Sequence, residues 1–213
     1  MIPVSAPSRV RDRLLNAPDG PVRVLHRGPH AVYLDLDGHC LGVLAASAVR
    51  VPCALQTRLD ELPEVRVAHV EAGTLHLDGV PLRIGRVTDP RVPALSRPRL
   101  GALRAAVGDL LGAGDGLTPY GDDVLCGWLA VHRAAGVATD DVDDAVRAGW
   151  HRTTGLSAAL LECALHGEVI PEFAAYVAAL GTDRQDAAAD ALRAVGHTSG
   201  AGLLEGAGWA LAA

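Results

Sequence analysis

The residues best equipped for chemistry lie in Gly112-Ala113-Gly114-Asp115-Gly116-Leu117-Thr118-Pro119-Tyr120-Gly121-Asp122-Asp123, directly ahead of a helical pattern at Val124–His132. Glycines such as Gly114, Gly116 and Gly121 let a ligand approach main-chain N–H groups closely, and the helix that follows offers free N-terminal donors, an anion-binding arrangement. Asp122 and Asp123 would repel a bare phosphate, so they suit capping the helix, positioning a cationic group, or holding Mg²⁺ that bridges to phosphate. The plainer reading is a tight loop with Asp122 as N-cap. Gly196-His197-Thr198-Ser199-Gly200 repeats the design between two helical patterns: Thr198 or Ser199 can cap and hold an anion, and His197 can move a proton or simply sit on the rim of a turn. Arg152-Thr153-Thr154-Gly155-Leu156-Ser157 is a third hydroxyl-rich helix start, with Thr154 as the N-cap and a guanidinium suited to carboxylate or phosphate. If the three converge, they make one polar pocket. Asp122, Asp123 and His197 are then its catalytic candidates and Asp122 and Asp123 its metal candidates. Gly114, Gly116, Thr118, Gly121, Arg152, Thr154, Ser157, Thr198 and Ser199 are its anion-binding candidates.

Composition narrows the chemistry. All 19 positive charges are arginine and there is no lysine, which excludes a Schiff-base lysine and the lysine of a P-loop. Cys40, Cys53, Cys126 and Cys163 are scattered and read as buried thiols. His26, His30, His39, His69 and His76 lack metal-ligand spacing and read as surface or satisfied core residues. Ser157 has no nucleophile elbow around it. Residues 1–100 carry 13 Arg against 10 acidic residues, whereas residues 101–213 carry 6 against 15. That acidic half is a poor nucleic-acid platform, and the arginines of the front half are dispersed. With no signal-peptide core in Met1–Leu15 and no apolar window of ~20 residues, the chain reads as cytoplasmic, with no membrane partner.

The elements that must position these residues change character near residue 95. Before it, period-two runs at Val22–Leu25, Val32–Leu36, Val65–Val70, Thr74–Leu77 and Leu82–Ile84, punctuated by Asp37-Gly38 and Asp78-Gly79, predict an antiparallel sheet or barrel. The proline-rich stretch from Thr88 through Arg97-Pro98 reads as a linker. Beyond it, helical spacing predicts a bundle. One stripe joins Leu103, Val107, Leu110 and Leu111. Thr139 caps an acidic helix start taken as solvated, and Pro171 opens a further helix. The expected fold is α+β, with a β-rich part over residues 1–95 and an α-helical part over 96–213, either separate or integrated into one domain.

Gly114-Asp115-Gly116-Leu117-Thr118-Pro119, then Gly121-Asp122-Asp123 and Gly127, resembles the signature of the AllH-like family. Thr154–Ser157 through Gly167, and Gly196–Gly200 with Gly206, look like its later motifs in the same order. Tyr120 stands where the family pattern usually has Ser. The resemblance implies a component of oxamate carbamoyltransferase, a multi-subunit enzyme of anaerobic allantoin breakdown that converts oxalurate and phosphate to oxamate and carbamoyl phosphate. It therefore implies small anionic substrates and other subunits as partners. Two rival readings remain: a non-catalytic assembly or ligand-sensing subunit, and a Mg²⁺-dependent phosphotransferase or other small-molecule enzyme. A homo-oligomer is compatible with any of these.

Overall fold

A computed structural model describes residues 1–96 and 99–212; Arg97-Pro98, the end of the proline-rich stretch, and Ala213 lie outside the described residues. The chain divides into two compact units, Met1–Asp89 and Pro90–Ala213. Its architecture is α+β, a β-barrel followed by helices. Among the described residues, no helix is long and apolar enough to cross a membrane.

The first unit is an eight-stranded closed barrel. Its strands are β1 (Ile2–Pro7), β2 (Gly20–Arg27), β3 (Ala31–Leu36), β4 (His39–Leu44), β5 (Ala54–Gln56), β6 (Ala68–Glu71), β7 (Thr74–Leu77) and β8 (Val80–Thr88). They close in the order β1-β5-β4-β3-β2-β6-β7-β8. Alternation sends Val32, Leu34 and Leu36 of β3, and Leu75 and Leu77 of β7, into one apolar core. Asp37-Gly38 and Asp78-Gly79 take positive φ at both positions, as two-residue hairpin turns require, and Ala72-Gly73 does the same between β6 and β7.

The barrel departs from the predicted antiparallel sheet in three ways. The β1–β8 and β4–β5 pairs are parallel. A helix, α1 (Ser8–Asn16), follows β1 and buries Val10 and Leu14. The strand predicted over Val65–Val70 begins only at Ala68, because the N–H groups of Arg66 and Val67 donate to the Asp78 carboxylate instead of a neighbouring strand. Those backbone donors also hold the Asp78 carboxyl below its ordinary pKa.

The second unit contains α2 (Val107–Leu110), α3 (Tyr120–Ala134), α4 (Asp140–Gly149), a 3₁₀ turn (Trp150–Arg152), α5 (Gly155–Leu165), α6 (Pro171–Ala179), α7 (Gln185–Arg193) and α8 (Ser199–Leu211). The α3 helix is buried on all sides from Gly121 to His132, which makes it the centre of the unit. The α8 helix packs on it through glycine. A Cβ at Gly127 would lie 2.1 Å from the Leu203 carbonyl oxygen, and one at Gly206 would lie 1.9 Å from that of Val124. Neither position has room for a side chain, so glycine sets the interhelical distance.

Two helical expectations are corrected. The stripe from Leu103 to Leu111 yields only the single turn of α2. Thr139 precedes α4 but makes no side-chain cap; its hydroxyl donates to Asp143 Oδ1 at 2.6 Å. Asp143 is buried rather than solvated, and Arg133 Nη2 donates to both its oxygens, at 2.6 and 2.5 Å. The half-buried Arg133 guanidinium draws the carboxylate inward, which a count of acidic residues does not reveal.

Candidate functional site

The three hydroxyl-rich helix starts of the second unit meet at the segment between α2 and α3. The Thr154 hydroxyl caps α5 by accepting from the Ser157 N–H at 3.0 Å, and donates to the Leu117 carbonyl at 2.5 Å. One residue on, the Thr118 and Ser199 hydroxyls are hydrogen-bonded at 2.8 Å, which ties the loop to the first turn of α8. The starts of α3, α5 and α8 are thus linked within two residues of Pro119. The partially positive N-terminal ends of three helix dipoles are thereby gathered around two buried aspartates.

The glycines shape the loop. Gly112, Gly114 and Gly116 have φ of +73°, +116° and +92°. A Cβ at Gly112 would strike the Arg152 carbonyl oxygen at 2.4 Å, so the backbone there is pinned beside the 3₁₀ turn. Gly121, inside α3, donates its N–H to the Ala113 carbonyl at 2.8 Å.

Asp122 and Asp123 are adjacent and both buried, yet their surroundings differ. Asp122 Oδ1 accepts from the Gly112 N–H at 2.9 Å. Its Oδ2 accepts from the Ser157 hydroxyl at 2.7 Å and from the Thr153 hydroxyl. With three donors, Asp122 is saturated, and it clamps the loop to the start of α5. It does so from inside α3 and not as the N-cap, the place held by Pro119.

Asp123 is 4% exposed, and its Oδ2 is buried with no hydrogen-bond partner. Burial pushes its pKa up to about 7; the Ser199 hydroxyl draws it down by hydrogen bonding, while the neighbouring Asp122 charge raises it. An unpaired buried carboxyl oxygen is expensive to maintain in a purely structural role. A carboxyl that titrates near neutrality beside a hydroxyl pair is suited to proton transfer. Tyr120 donates its hydroxyl to Glu205 Oε2, bridging α3 and α8, and this holds its own pKa up at about 12.

The remaining sequence candidates are less engaged. Arg152 is exposed, with Nη1 3.4 Å from where a Cβ on Gly108 would lie. His197 and Thr198 are exposed on the turn before α8, and Thr198 makes no side-chain cap. Two participants were not singled out from the sequence. Thr153 was visible within its hydroxyl cluster, whereas Glu205, six residues beyond Ser199, carried no local signal.

No significant match to the chain exists among curated proteins or solved structures. Residues 110–211, which contain the whole of this polar cluster, match the family model described as oxamate carbamoyltransferase subunit AllH, so the helical part of the chain is similar to that family.

Proposed function

We propose that the chain is a subunit of an oxamate-type carbamoyltransferase, and that its helical unit handles the small anionic reactants where α3, α5 and α8 begin. The observation that carries this reading is Asp123, a buried carboxyl with one unpaired oxygen, raised pKa and a Ser199–Thr118 hydroxyl pair alongside. The family description supports other subunits as partners.

In the reaction proposed, a phosphate oxygen attacks the ureido carbonyl of oxalurate. The new O–C bond makes carbamoyl phosphate as the C–N bond to oxamate breaks. Asp123, protonated near neutrality, gives its proton to the departing nitrogen and regains one from the attacking hydrogen phosphate. Thr118 and Ser199 orient the carboxylate of the substrate. The N–H groups around Gly114 and Gly116, with Arg152 alongside, hold phosphate, and His197 with Thr198 stands at the rim. Asp122 is a positioning residue. If Mg²⁺ takes part, Asp123 Oδ2 would hold it as the ionised carboxylate, in place of the proton-donor role, because both oxygens of Asp122 are engaged.

Calorimetric titration of the full chain with oxalurate, oxamate, phosphate and carbamoyl phosphate, each with and without Mg²⁺, tests this. Saturable binding of at least one is expected, weakened roughly 10-fold or more by Ser199→Ala, since a hydrogen bond to a charged group contributes about 1.5–3 kcal/mol. Absence of binding by all four, or binding indifferent to Ser199→Ala, overturns the proposal. The description of the family as a subunit favours a second reading, in which the site binds ligand while partner chains catalyse. Binding with no change in turnover of the assembled enzyme on Asp123→Asn would select it.

A further inference from the structure

We propose that the outer face of the barrel carries a binding site for a divalent transition-metal ion of the zinc class, built from His69, Glu71 and His76. One ligand atom from each of these three lies within 4.8 Å of the others. The site follows from hairpin register. The β6 and β7 strands pair antiparallel, with His69 opposite His76 and Glu71 opposite Thr74. Ala68, Val70, Leu75 and Leu77 of the same strands are buried in the barrel core, so the alternating His69, Glu71 and His76 share the opposite face.

Three features favour a metal over an incidental cluster. The two imidazoles are stacked, with centroids 4.5 Å apart and planes 8° apart, so their ring edges are already side by side. The His76 Nδ1 lies 3.1 Å from the Thr74 carbonyl oxygen. A carbonyl only accepts, so Nδ1 carries the proton and the Nε2 lone pair is left for a metal, the second-shell arrangement that fixes ligating histidines. In the cross-strand row, Pro21 of β2 faces His69 and Pro81 of β8 faces His76, so no cationic side chain stands directly opposite either ring.

Two imidazole nitrogens and one carboxylate form a three-ligand set of the kind zinc accepts, with a remaining position open to water or an exogenous ligand. Ligand atoms around tetrahedral zinc lie about 3.3 Å apart, from metal–ligand distances near 2.0–2.2 Å. Contraction to that spacing needs side-chain rotation at these half-exposed and exposed positions, while the strand ladder stays in place. The set suits Zn²⁺ or Co²⁺ and not Mg²⁺, which prefers oxygen ligands. The histidines are seven residues apart, a spacing that says nothing until the Ala72-Gly73 turn folds β7 back on β6.

The test is titration of the full, chelator-stripped chain with Co²⁺ followed by visible absorption, and with Zn²⁺ by calorimetry. One equivalent of Co²⁺ should bind with a ligand-field band indicative of nitrogen and oxygen coordination. His69→Ala and His76→Ala should each weaken binding by more than the roughly 10–100-fold that loss of a second-shell partner costs. Glu71→Gln should weaken it less, and His39→Ala should leave it unchanged. Far-UV circular dichroism checks that each variant keeps its fold, and Glu71→Gln serves where a histidine variant does not. Absence of saturable binding at one equivalent overturns the proposal. So does binding left as tight as in the native chain by both His69→Ala and Glu71→Gln in folded protein, the signature of adventitious capture by scattered histidines.

Discussion

The barrel and the helical unit bury different things. Among the described residues, the barrel buries one polar side chain, Thr57, beneath a continuous apolar core. The helical unit buries Asp122, Asp123, His132, Asp143, Ser157 and Glu168. Apolar burial is non-directional and tolerant, whereas buried carboxylates need specific donors. The barrel is therefore stabilised by pattern, and the helical unit by a few exacting contacts. The latter is the arrangement expected where a chain commits stability to chemistry.

Substitutions can break this contrast. The largest effect is expected from Asp122→Ala, which leaves the Gly112 N–H and the Thr153 and Ser157 hydroxyls without their acceptor. At about 1.5–3 kcal/mol for each bond to a charged group, the loss should be on the order of 5 kcal/mol in chemical denaturation. Leu34→Ala, in the barrel core, should cost about 2–5 kcal/mol. If Leu34→Ala proves the more damaging of the two, the contrast fails.

A pH series sharpens it. The folded pKa of Asp123 lies above its unfolded value, so the carboxyl contributes stability that is full below about pH 4 and is lost as pH rises through about 7. Asp123→Asn should therefore gain on the native protein between pH 4 and pH 8, by an amount on the order of a few kcal/mol. Denaturation midpoints across that range measure it, and a difference that stays flat with pH would contradict the assigned burial.

Within α8, two glycines two residues apart should respond with opposite sign. Gly206→Ala drives a methyl into the Val124 carbonyl and should destabilise by about 1–3 kcal/mol. Gly208→Ala meets nothing within 4 Å and should stabilise by roughly 0.5–1 kcal/mol through helix propensity. Thermal melts of the pair would show whether α3–α8 packing is as close as glycine permits.

Legibility in the sequence follows the same division. Asp37-Gly38 and Asp78-Gly79 announced their hairpins because few other residues tolerate two successive positive φ values. Strands β1 and β5 did not show, since their partners are distant in sequence and two of the pairings are parallel. In the helical unit, hydroxyl-rich helix starts were readable as residue types, but their partners were not. Thr118 finds Ser199 across 81 residues, and Ser157 finds Asp122 across 35. Nor could sequence separate Asp122 from Asp123, identical neighbours that helical geometry turns about 100° apart, one towards three donors and the other towards α8. Register likewise concealed His69 and His76 from a search by spacing.

The division of labour between the two aspartates is the central claim, and it can be read directly. Carboxyl carbon-13 chemical shifts of the full chain, with the Asp123 resonance assigned by its loss in Asp123→Asn, should be followed from pH 3 to pH 9 with and without oxalurate and phosphate. The account predicts an Asp123 midpoint near 7 in the free protein and a displaced midpoint once ligand binds. An Asp123 midpoint near 4, unmoved by any of the anions, would contradict it.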